Sequence, residues 1–282
     1  MQLITIHNEA LTATFSTLGA ELQSLRDAQG VVRLWQGDPA WWAGRAPILF
    51  PFPGALKDDC YYLNGQKYAM PKHGFARKLE WQLENQTDDA ATFLMTQKHE
   101  GFPFEYELRA IYQLRGNALE ITYRVSNLDS QAFVFSVGAH EGYATPEGIE
   151  QYELVFDQEE RLAAYPVIGS LIGPEPEVLF ESVRALRLKP EYFAKEALVF
   201  RDLKSRGVTL RSRLHGREIR VDYPDFGVLL LWTIPGAGLL CIEPWCSAPD
   251  LVDSDQNILH KPGCTCLEPG QIAEKKHAIT VR

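Results

Sequence analysis

Short runs of alternating apolar and polar residues recur along the whole chain. In Leu119–Val125 the residues Leu, Ile, Tyr and Val face one way while Glu, Thr and Arg face the other. The segment Phe104–Leu114 alternates in the same manner. A period of two residues is typical of a half-buried β-strand. Because turn signals separate such runs about every 8–12 residues, the pattern favours a large antiparallel β-sandwich.

Helical periodicity is almost absent: no stretch of about twelve residues shows a 3.6-residue period. We predict about eighteen short strands in one domain spanning residues 1–282, with very little helix. The Asn64-Gly65 pair predicts a hairpin, Pro166–Pro176 a loop, and Pro190–Glu196 a short helical turn. The predicted strands include 2–7, Leu11–Phe15, Val31–Trp35, Trp81–Glu84, Ala91–Thr96, Phe104–Leu114, Leu119–Val125, Ala132–Val137, Tyr152–Asp157, Ala197–Phe200, Val208–Arg213, Glu218–Tyr223, Val228–Ile234, Leu239–Trp245, Thr265–Leu267 and Ala278–Val281.

Composition limits the partners that this chain can have. Its 282 residues are 45% hydrophobic and 23% charged, as in ordinary globular proteins. The net charge of −9 argues against broad contact with nucleic acid or anionic membranes. The longest apolar stretch, Gly227–Ile242, is interrupted by Pro235 and two glycines and is too short to span a membrane. A small molecule is therefore the expected partner.

The cysteines and the first residues predict a cytoplasmic protein. Five cysteines, an odd number, favour reduced thiols, and Met1–His7 lacks the features of a secretion signal. Four of the thiols, Cys241, Cys246, Cys264 and Cys266, match no strong zinc template, so we expect no metal.

Several ionisable side chains stand beside Gly or Pro at predicted strand ends. Arg45 precedes a proline-stiffened run, His73 and Arg77 bracket Gly74, and His140 follows an apolar strand. Glu243 follows the apolar run that ends at Ile242, where burial raises the pKa of a carboxyl towards that of a usable general base. Taken one at a time, such histidines are structural donors and such arginines are surface ion pairs. Their joint occurrence favours an active site.

Other histidines and tryptophans have plainer interpretations. The remaining histidines occur in polar or terminal contexts and are assigned to the surface: His7, His99, His215, His260 and His277. Trp41 and Trp42, just before Arg45, either pack in the core or form a stacking platform for a ligand.

At these residues the chain resembles the aldose 1-epimerase (galactose mutarotase) family, in particular its compact mutarotase-like branch. The resemblance implies a β-supersandwich with a sugar site on a concave sheet face. The matching segments occur in the family's order over nearly the full length: Gly44–Pro51, Tyr62–Gly65, His73–Arg77, Gly138–His140, Ala197–Phe200 and Ile242–Trp245.

The resemblance also implies roles for individual residues. Glu243 matches the family's catalytic base and His140 its acid, whereas His73 and Arg45 match positions that hold the sugar. Mutarotation removes a proton from the anomeric hydroxyl and gives one to the ring oxygen, so the ring opens and recloses on its other face. No metal or organic cofactor is implied.

Three positions depart from the family pattern. Glu141 stands where proline commonly follows the strand-end histidine, and Glu196 stands where an aspartate is usual, which makes Glu196 a possible sugar-binding residue. Ser247 occupies the position of an expected glycine after Cys246. These changes predict altered charge or shape at the rim of the pocket.

Two further hypotheses stay open beside a mutarotase acting on a free aldohexose. The substrate could be a sugar phosphate held by Arg45, Arg77 and Lys72. Alternatively, the chain is a non-catalytic carbohydrate-binding or sensing protein on the same fold. An all-β glycoside hydrolase is disfavoured because Glu243 has no clear second carboxylate. The expected assembly is a monomer or a homodimer.

Overall fold

The computed structural model describes residues 1–282, and its regular secondary structure consists almost entirely of antiparallel strands. There is no α-helix, only five 3-10 turns, at Lys57–Asp59, Ala76–Lys78, Ile149–Gln151, Pro190–Phe193 and Ile258–His260. None of these is long and apolar enough to cross a membrane. The strands are β1 (Leu3–His7), β2 (Leu11–Ser16), β3 (Leu22–Asp27), β4 (Cys60–Leu63), β5 (Gln66–Ala69), β6 (Gln82–Gln86), β7 (Ala90–Met95), β8 (Tyr106–Arg115), β9 (Ala118–Asn127), β10 (Phe133–Phe135), β11 (Glu141–Ala144), β12 (Tyr152–Ala164), β13 (Val167–Ile168), β14 (Leu171–Ile172), β15 (Glu177–Arg187), β16 (Leu198–Phe200), β17 (Gly207–Ser212), β18 (Glu218–Asp222), β19 (Val228–Trp232), β20 (Leu239–Trp245), β21 (Thr265–Leu267) and β22 (Ile272–Val281).

Two sheets position the residues of the site described below. The larger has nine strands in the order β15-β12-β17-β18-β22-β9-β8-β7-β6, and the smaller has four in the order β11-β20-β19-β16. A three-stranded sheet, β1-β2-β3, and three two-stranded ribbons complete the structure. This arrangement confirms the predicted all-β class with very little helix.

The main core lies between these sheets and contains 67 buried residues. Strand β9 shows why the chain folds in this way, since Leu119, Ile121 and Tyr123 are buried while the residues between them are more exposed. The four-stranded sheet contributes Ile242 and Leu231 to the same core. Removing such apolar surface from water is the main driving force for the packing.

The four-stranded sheet is unusual in being covered on both faces. All seven residues of β20 are buried. Its even-numbered residues Leu240 and Ile242 enter the main core, whereas Leu239, Cys241 and Trp245 lie in two small clusters on the opposite face. Glu243 belongs to this second face because side chains alternate along a strand.

Local signals in the sequence were most accurate at turns and at fully buried strands. The hairpin β4–β5 turns at Asn64 and Gly65, with φ of 51° and 80°, the left-handed values that such a turn requires. Strand β20 has the predicted bounds, and so does β21.

The errors lie where period-two alternation is weak. Strand β15 was not predicted because ten of its eleven positions are exposed or only partly buried, so it carries no apolar alternation. Val31–Trp35 forms isolated bridges through Val32 and Leu34 rather than a regular strand. The loop predicted at Pro166–Pro176 contains the short pair β13–β14, and β12 and β22 extend well beyond their predicted bounds.

Candidate active site

His140 and Glu243 face each other on the second face of the four-stranded sheet. The register of β11 and β20 pairs Glu141 with Ile242, which places His140 beside Glu243. His140 Nε2 lies 3.3 Å from Glu243 Oε2, yet this oxygen has no hydrogen-bond partner. Glu243 is only 2% exposed. An unpaired, buried carboxylate is costly, which is typical of a group kept for chemistry rather than for stability.

Two glycines leave room around His140 for aromatic rings. A Cβ on Gly138 would lie 2.7 Å from Trp245 Cδ1, and a Cβ on Gly142 would lie 2.9 Å from Trp42 Cζ3. The Trp245 indole N–H also donates to the Ala139 carbonyl, 3.0 Å away. The glycines that bracket the strand-end histidine are therefore required by the close approach of two tryptophans.

Tryptophans form one wall of the site. The Trp42 ring stacks on His140 with centroids 5.0 Å apart, and Trp232 meets the same histidine edge-on at 6.0 Å. The Trp35 indole N–H donates to the Trp42 carbonyl, 2.7 Å away, which restrains Trp42. Trp42 is therefore part of the site wall, whereas the neighbouring Trp41 is 44% exposed.

His73 lies beside His140 and is held by the backbone. Its φ of 67° is uncommon for a side chain other than glycine, and the next residue, Gly74, also has a positive φ. A Cβ on Gly74 would lie 2.0 Å from the Phe50 carbonyl oxygen, so only glycine fits there. His73 Nδ1 accepts a hydrogen bond from the Gly54 N–H at 3.1 Å, and its ring lies 5.8 Å from that of His140.

The charge state of His73 follows from this setting. Burial lowers its pKa to about 2, with smaller contributions from the nearby charges of His140, Arg77 and Lys72. Because Nδ1 accepts from Gly54, the neutral ring carries its proton on Nε2. His73 can therefore donate one hydrogen bond from Nε2.

Arg45 is held by two side chains of the first sheet that the sequence did not indicate. One oxygen of Glu21 accepts hydrogen bonds from the backbone N–H groups of Arg45 and Ala46, each at 2.9 Å. The guanidinium donates to Gln23 Oε1, also at 2.9 Å. Glu21 immediately precedes β3 and Gln23 is its second residue, and no feature of the sequence there points to Arg45.

Arg77 is less constrained. It is half-buried on a 3-10 turn and donates to the Lys72 carbonyl at 3.3 Å, while its Nε has no partner. Burial lowers the pKa of Arg77, and the charge of Glu21 opposes that shift. The charge of Arg77 helps to lower the pKa of both His73 and His140, so it lies within electrostatic reach of the site.

Burial shifts the pKa values of Glu243 and His140 in opposite directions. Burial raises the pKa of Glu243 well above its usual range, and the charge of Glu141 adds to this effect while Lys72 opposes it. Burial lowers the pKa of His140 to about 3, aided by Arg77 and Lys72. Two groups in contact share their titration, so the pair is best described as holding one proton, which burial places on Glu243 in the free protein.

Two of the residues singled out from the sequence lie outside this arrangement. Glu196 is exposed, two residues before β16, and forms no hydrogen bond or ion pair with a site residue. Glu141 points into the main core, where its Oε1 lies 2.9 Å from Nε2 of His277. His277 is only 3% exposed, so its predicted surface position is wrong. The reason is that β22 begins at Ile272, which places His277 on an inward-facing position of a long strand.

The cysteines and Ser247 lie in different parts of the structure. Cys241 faces the His140–Glu243 pair, with the donor atoms of all three residues within 4.8 Å of one another. Cys246 belongs to the main core on the opposite face, so these thiols do not form a common site. Ser247 is fully buried and its hydroxyl donates to Ser136 Oγ at 2.8 Å.

A cavity of about 560 Å³ is lined mainly by residues of the loop 246–263, and neither His140 nor Glu243 lines it. Its wall includes Pro249, which Gly54 would contact if it carried a Cβ. We place the candidate active site at the His140–Glu243 pair, because the paired acid/base groups and the tryptophans that contact His140 are there.

Comparison with known proteins agrees with the family that the sequence resembles. The family model described as aldose 1-epimerase matches residues 2–279. The plasmid-encoded protein LacX of Lactococcus lactis subsp. lactis is 33% identical over 295 aligned positions, which cover 99% of each chain.

Solved structures show the same fold. A galactose mutarotase related enzyme from Lactobacillus acidophilus is 28% identical and superposes with a TM-score of 0.92, covering 100% of this chain and 97% of its own. A galactose mutarotase-like protein from Lactobacillus casei gives the same identity and TM-score and covers both chains completely.

Proposed function

The chain belongs to the aldose 1-epimerase family, and we propose that it interconverts the α and β anomers of an aldohexose by acid/base ring opening. The single observation that carries the proposal is the contact between His140 and Glu243. These are two ionisable groups 3.3 Å apart, one of them with an unpartnered oxygen, and the Trp42 ring stacks on the histidine. A reaction that moves one proton off a hydroxyl and another onto a ring oxygen needs such a pair.

The reaction balances because ring opening and ring closure each transfer two protons, one from the sugar to the protein and one from the protein to the sugar. The base takes the proton of the anomeric hydroxyl, the C1–O5 bond breaks as C1=O1 forms, and the acid protonates O5. Rotation about C1–C2 then presents the other face of the carbonyl carbon. O5 attacks C1, its proton returns to the acid, and O1 recovers a proton from the base.

Glu243 and His140 exchange these roles between opening and closure. In the free protein burial favours the proton on Glu243. Sugar hydroxyls that donate to Glu243 supply the hydrogen bonds that its carboxylate lacks, and such bonds favour the charged form. Sugar binding would thereby shift the proton towards His140 and make Glu243 the base, the role that the family resemblance assigns to it.

The remaining residues would hold the ring. His73 donates through Nε2 towards the ring oxygen or a neighbouring hydroxyl. Arg45 is restrained by Glu21 and Gln23, which fixes the loop that carries it. Holding the sugar in one orientation between acid and base accounts for a large part of such rate enhancements.

Anomer-exchange NMR on purified protein tests this proposal across a panel of free and phosphorylated hexoses. We expect added protein to accelerate exchange between the α and β signals of at least one hexose. Tight sugar binding by calorimetry without accelerated exchange would instead establish the non-catalytic carbohydrate-binding alternative.

A hexose phosphate is a second candidate substrate, favoured by one observation. Arg77 Nε is buried without a partner, and the neighbouring Lys72 is exposed, so both cations are available to an anion. Hexose 6-phosphate should then compete with the free sugar, and Arg77→Ala should remove that competition. Lys78→Ala is the matched control, because Lys78 is an exposed cation on the same turn. Equal competition in both variants would reject the phosphate hypothesis.

A further inference from the structure

Cys241 places a thiol beside the acid/base pair, and mutarotation gives this thiol no role. It lies two residues before Glu243 on β20, so both side chains project from the same face of the sheet. Cys241 is 0% exposed, and its sulfur, the His140 ring nitrogen and a Glu243 oxygen all lie within 4.8 Å of one another. The structure therefore groups one sulfur, one nitrogen and one oxygen donor around a common point.

This donor set is the one that zinc prefers. Catalytic and inhibitory zinc ions are held by three protein ligands drawn from Cys, His and Asp or Glu, with a fourth position left open. Bond lengths of about 2.0–2.3 Å imply donor separations of about 3.3–3.7 Å in a tetrahedron. The separation of 3.3 Å between His140 and Glu243 already fits. From a separation of at most 4.8 Å the thiol must approach by no more than about 1.5 Å, which a rotation about its single side-chain torsion can supply.

Two unsatisfied atoms provide an independent observation. Glu243 Oε2 and His140 Nδ1 are both buried without a hydrogen-bond partner. No protein group therefore competes with an ion for the unpartnered oxygen, and no second carboxylate or carbonyl fixes the orientation of the His140 ring.

The surrounding charges are close to balanced. A thiolate and a carboxylate together neutralise a divalent ion. Lys72 and Arg77 oppose a cation at this position, because both charges reach His140, whereas Glu141 behind the sheet favours one. The ion would enter from the sugar side and replace the thiol proton of Cys241 and the carboxyl proton of Glu243, both of which pass to solvent.

From this geometry we propose that His140, Cys241 and Glu243 bind Zn²⁺ or another thiophilic divalent cation, and that the ion inhibits the enzyme. The inhibition rests on the proposed mutarotase function, since the ion occupies the two groups that transfer protons. The binding itself does not depend on that function. Alkaline-earth ions should not act in this way, because Mg²⁺ and Ca²⁺ prefer oxygen ligands.

Binding is tested first with Co²⁺ as a spectroscopic probe of the purified, metal-free protein. We expect a thiolate-to-cobalt charge-transfer band that one equivalent of Zn²⁺ abolishes. Cys241→Ser should eliminate the band, and Cys246→Ser should retain it, because Cys246 is an equally buried thiol on the opposite face. A wild-type protein without the band, or a band that persists in Cys241→Ser, would overturn the proposal.

A second variant keeps the test decisive if Cys241→Ser does not fold. His140→Asn removes a ligand at a partly exposed position and should weaken Co²⁺ binding by at least about 100-fold. Unchanged affinity in this variant would also count against the site.

Inhibition is tested separately by anomer-exchange NMR. Zn²⁺ should slow exchange in the wild type and in Cys246→Ser, and a chelator should restore the rate. The inhibitory concentration should rise at least about 100-fold in Cys241→Ser. Activation by Zn²⁺, or equal inhibition of both variants, would refute the regulatory role. A cobalt band in a protein without exchange activity would retain the metal site and reject the mutarotase function.

Discussion

Two buried glutamates, Glu243 and Glu141, lie on opposite faces of the same four-stranded sheet, and each has a histidine beside it. Glu141 is hydrogen-bonded to His277 across the main core at 2.9 Å. Glu243 lies 3.3 Å from His140 with its Oε2 unpartnered. Both carboxylates are almost fully buried, at 3% and 2% exposure. Glu141 also has an unpartnered Oε2, so the two differ in that Glu141 forms one hydrogen bond through Oε1 whereas the Glu243 side chain forms none.

This difference separates a structural carboxylate from a chemical one. Burying a carboxylate without a partner costs several kcal/mol, and a hydrogen-bonded histidine offsets much of that cost at Glu141. At Glu243 the cost is not offset, and its pKa is raised accordingly. Glu243, whose burial destabilises the protein, is therefore also the residue whose proton is available to a ligand. Glu141 also influences its counterpart, because its charge contributes to the raised pKa of Glu243.

The largest effect is expected for Glu243→Gln, which removes the acid/base group and keeps its shape. The rate of anomer exchange should fall by about 10²–10⁴-fold, the usual contribution of a general acid or base. Stability should stay the same or increase, because the amide removes a buried, unpaired carboxyl. Exchange NMR and denaturant unfolding of the same preparation measure both quantities. An active Glu243→Gln variant would remove Glu243 from the mechanism.

The second effect concerns stability at the other carboxylate. Glu141→Leu should lower the free energy of unfolding by about 3 kcal/mol, because it leaves buried His277 without its hydrogen-bond partner. The double variant Glu141→Leu/His277→Leu should recover part of this loss, since it removes both polar groups. A loss of less than about 0.5 kcal/mol in the single variant would show that the pair does not stabilise the fold.

A third, smaller effect is the pH dependence that His73 gives to stability. Its pKa is about 2 in the folded protein and has the ordinary value near 6.5 when unfolded. Between pH 6.5 and pH 2 the unfolded state binds the proton and the folded state does not. Stability that is present above pH 6.5 is therefore lost as the pH falls. The loss reaches about 2 kcal/mol at pH 5.

Comparison with His73→Asn isolates this contribution. Asparagine tolerates the left-handed backbone at this position and does not titrate. Urea unfolding at pH 7 and pH 5 should show a smaller difference in the variant than in the wild type. Equal differences would mean that His73 accepts a proton in the folded protein.

The smallest effect is expected for the aromatic wall. Trp42→Leu removes the ring that stacks on His140 and should reduce kcat/KM by about tenfold, since such aromatic pairs contribute roughly 0.5–1.5 kcal/mol. Trp41→Leu is the control, because Trp41 is largely exposed and forms no ring contact with His140. A larger loss from Trp41→Leu would assign the sugar-stacking role to that residue instead.

Parts of the fold and site could be predicted from the sequence where the signal is local. Asn64-Gly65 specifies its turn through backbone conformations that few residues adopt. In β20, every residue before Glu243 is apolar. The same reasoning failed for β15, whose exposed surface leaves no alternation to detect. Glu21 could not be predicted as a partner of Arg45, because the contact joins residues 24 positions apart.

What the sequence by itself determined is the class of structure and the identity of the groups that meet at one strand end. Alternation produces strands, and glycines on either side of His140 admit the large rings that cover it. Only the tertiary structure decided which face of the sheet each ionisable group enters and what it meets there. His277 comes to Glu141 from 136 residues away, whereas Glu243 meets no such partner. A strand pattern defines two faces, but only the packing of distant elements decides how each buried charge is satisfied.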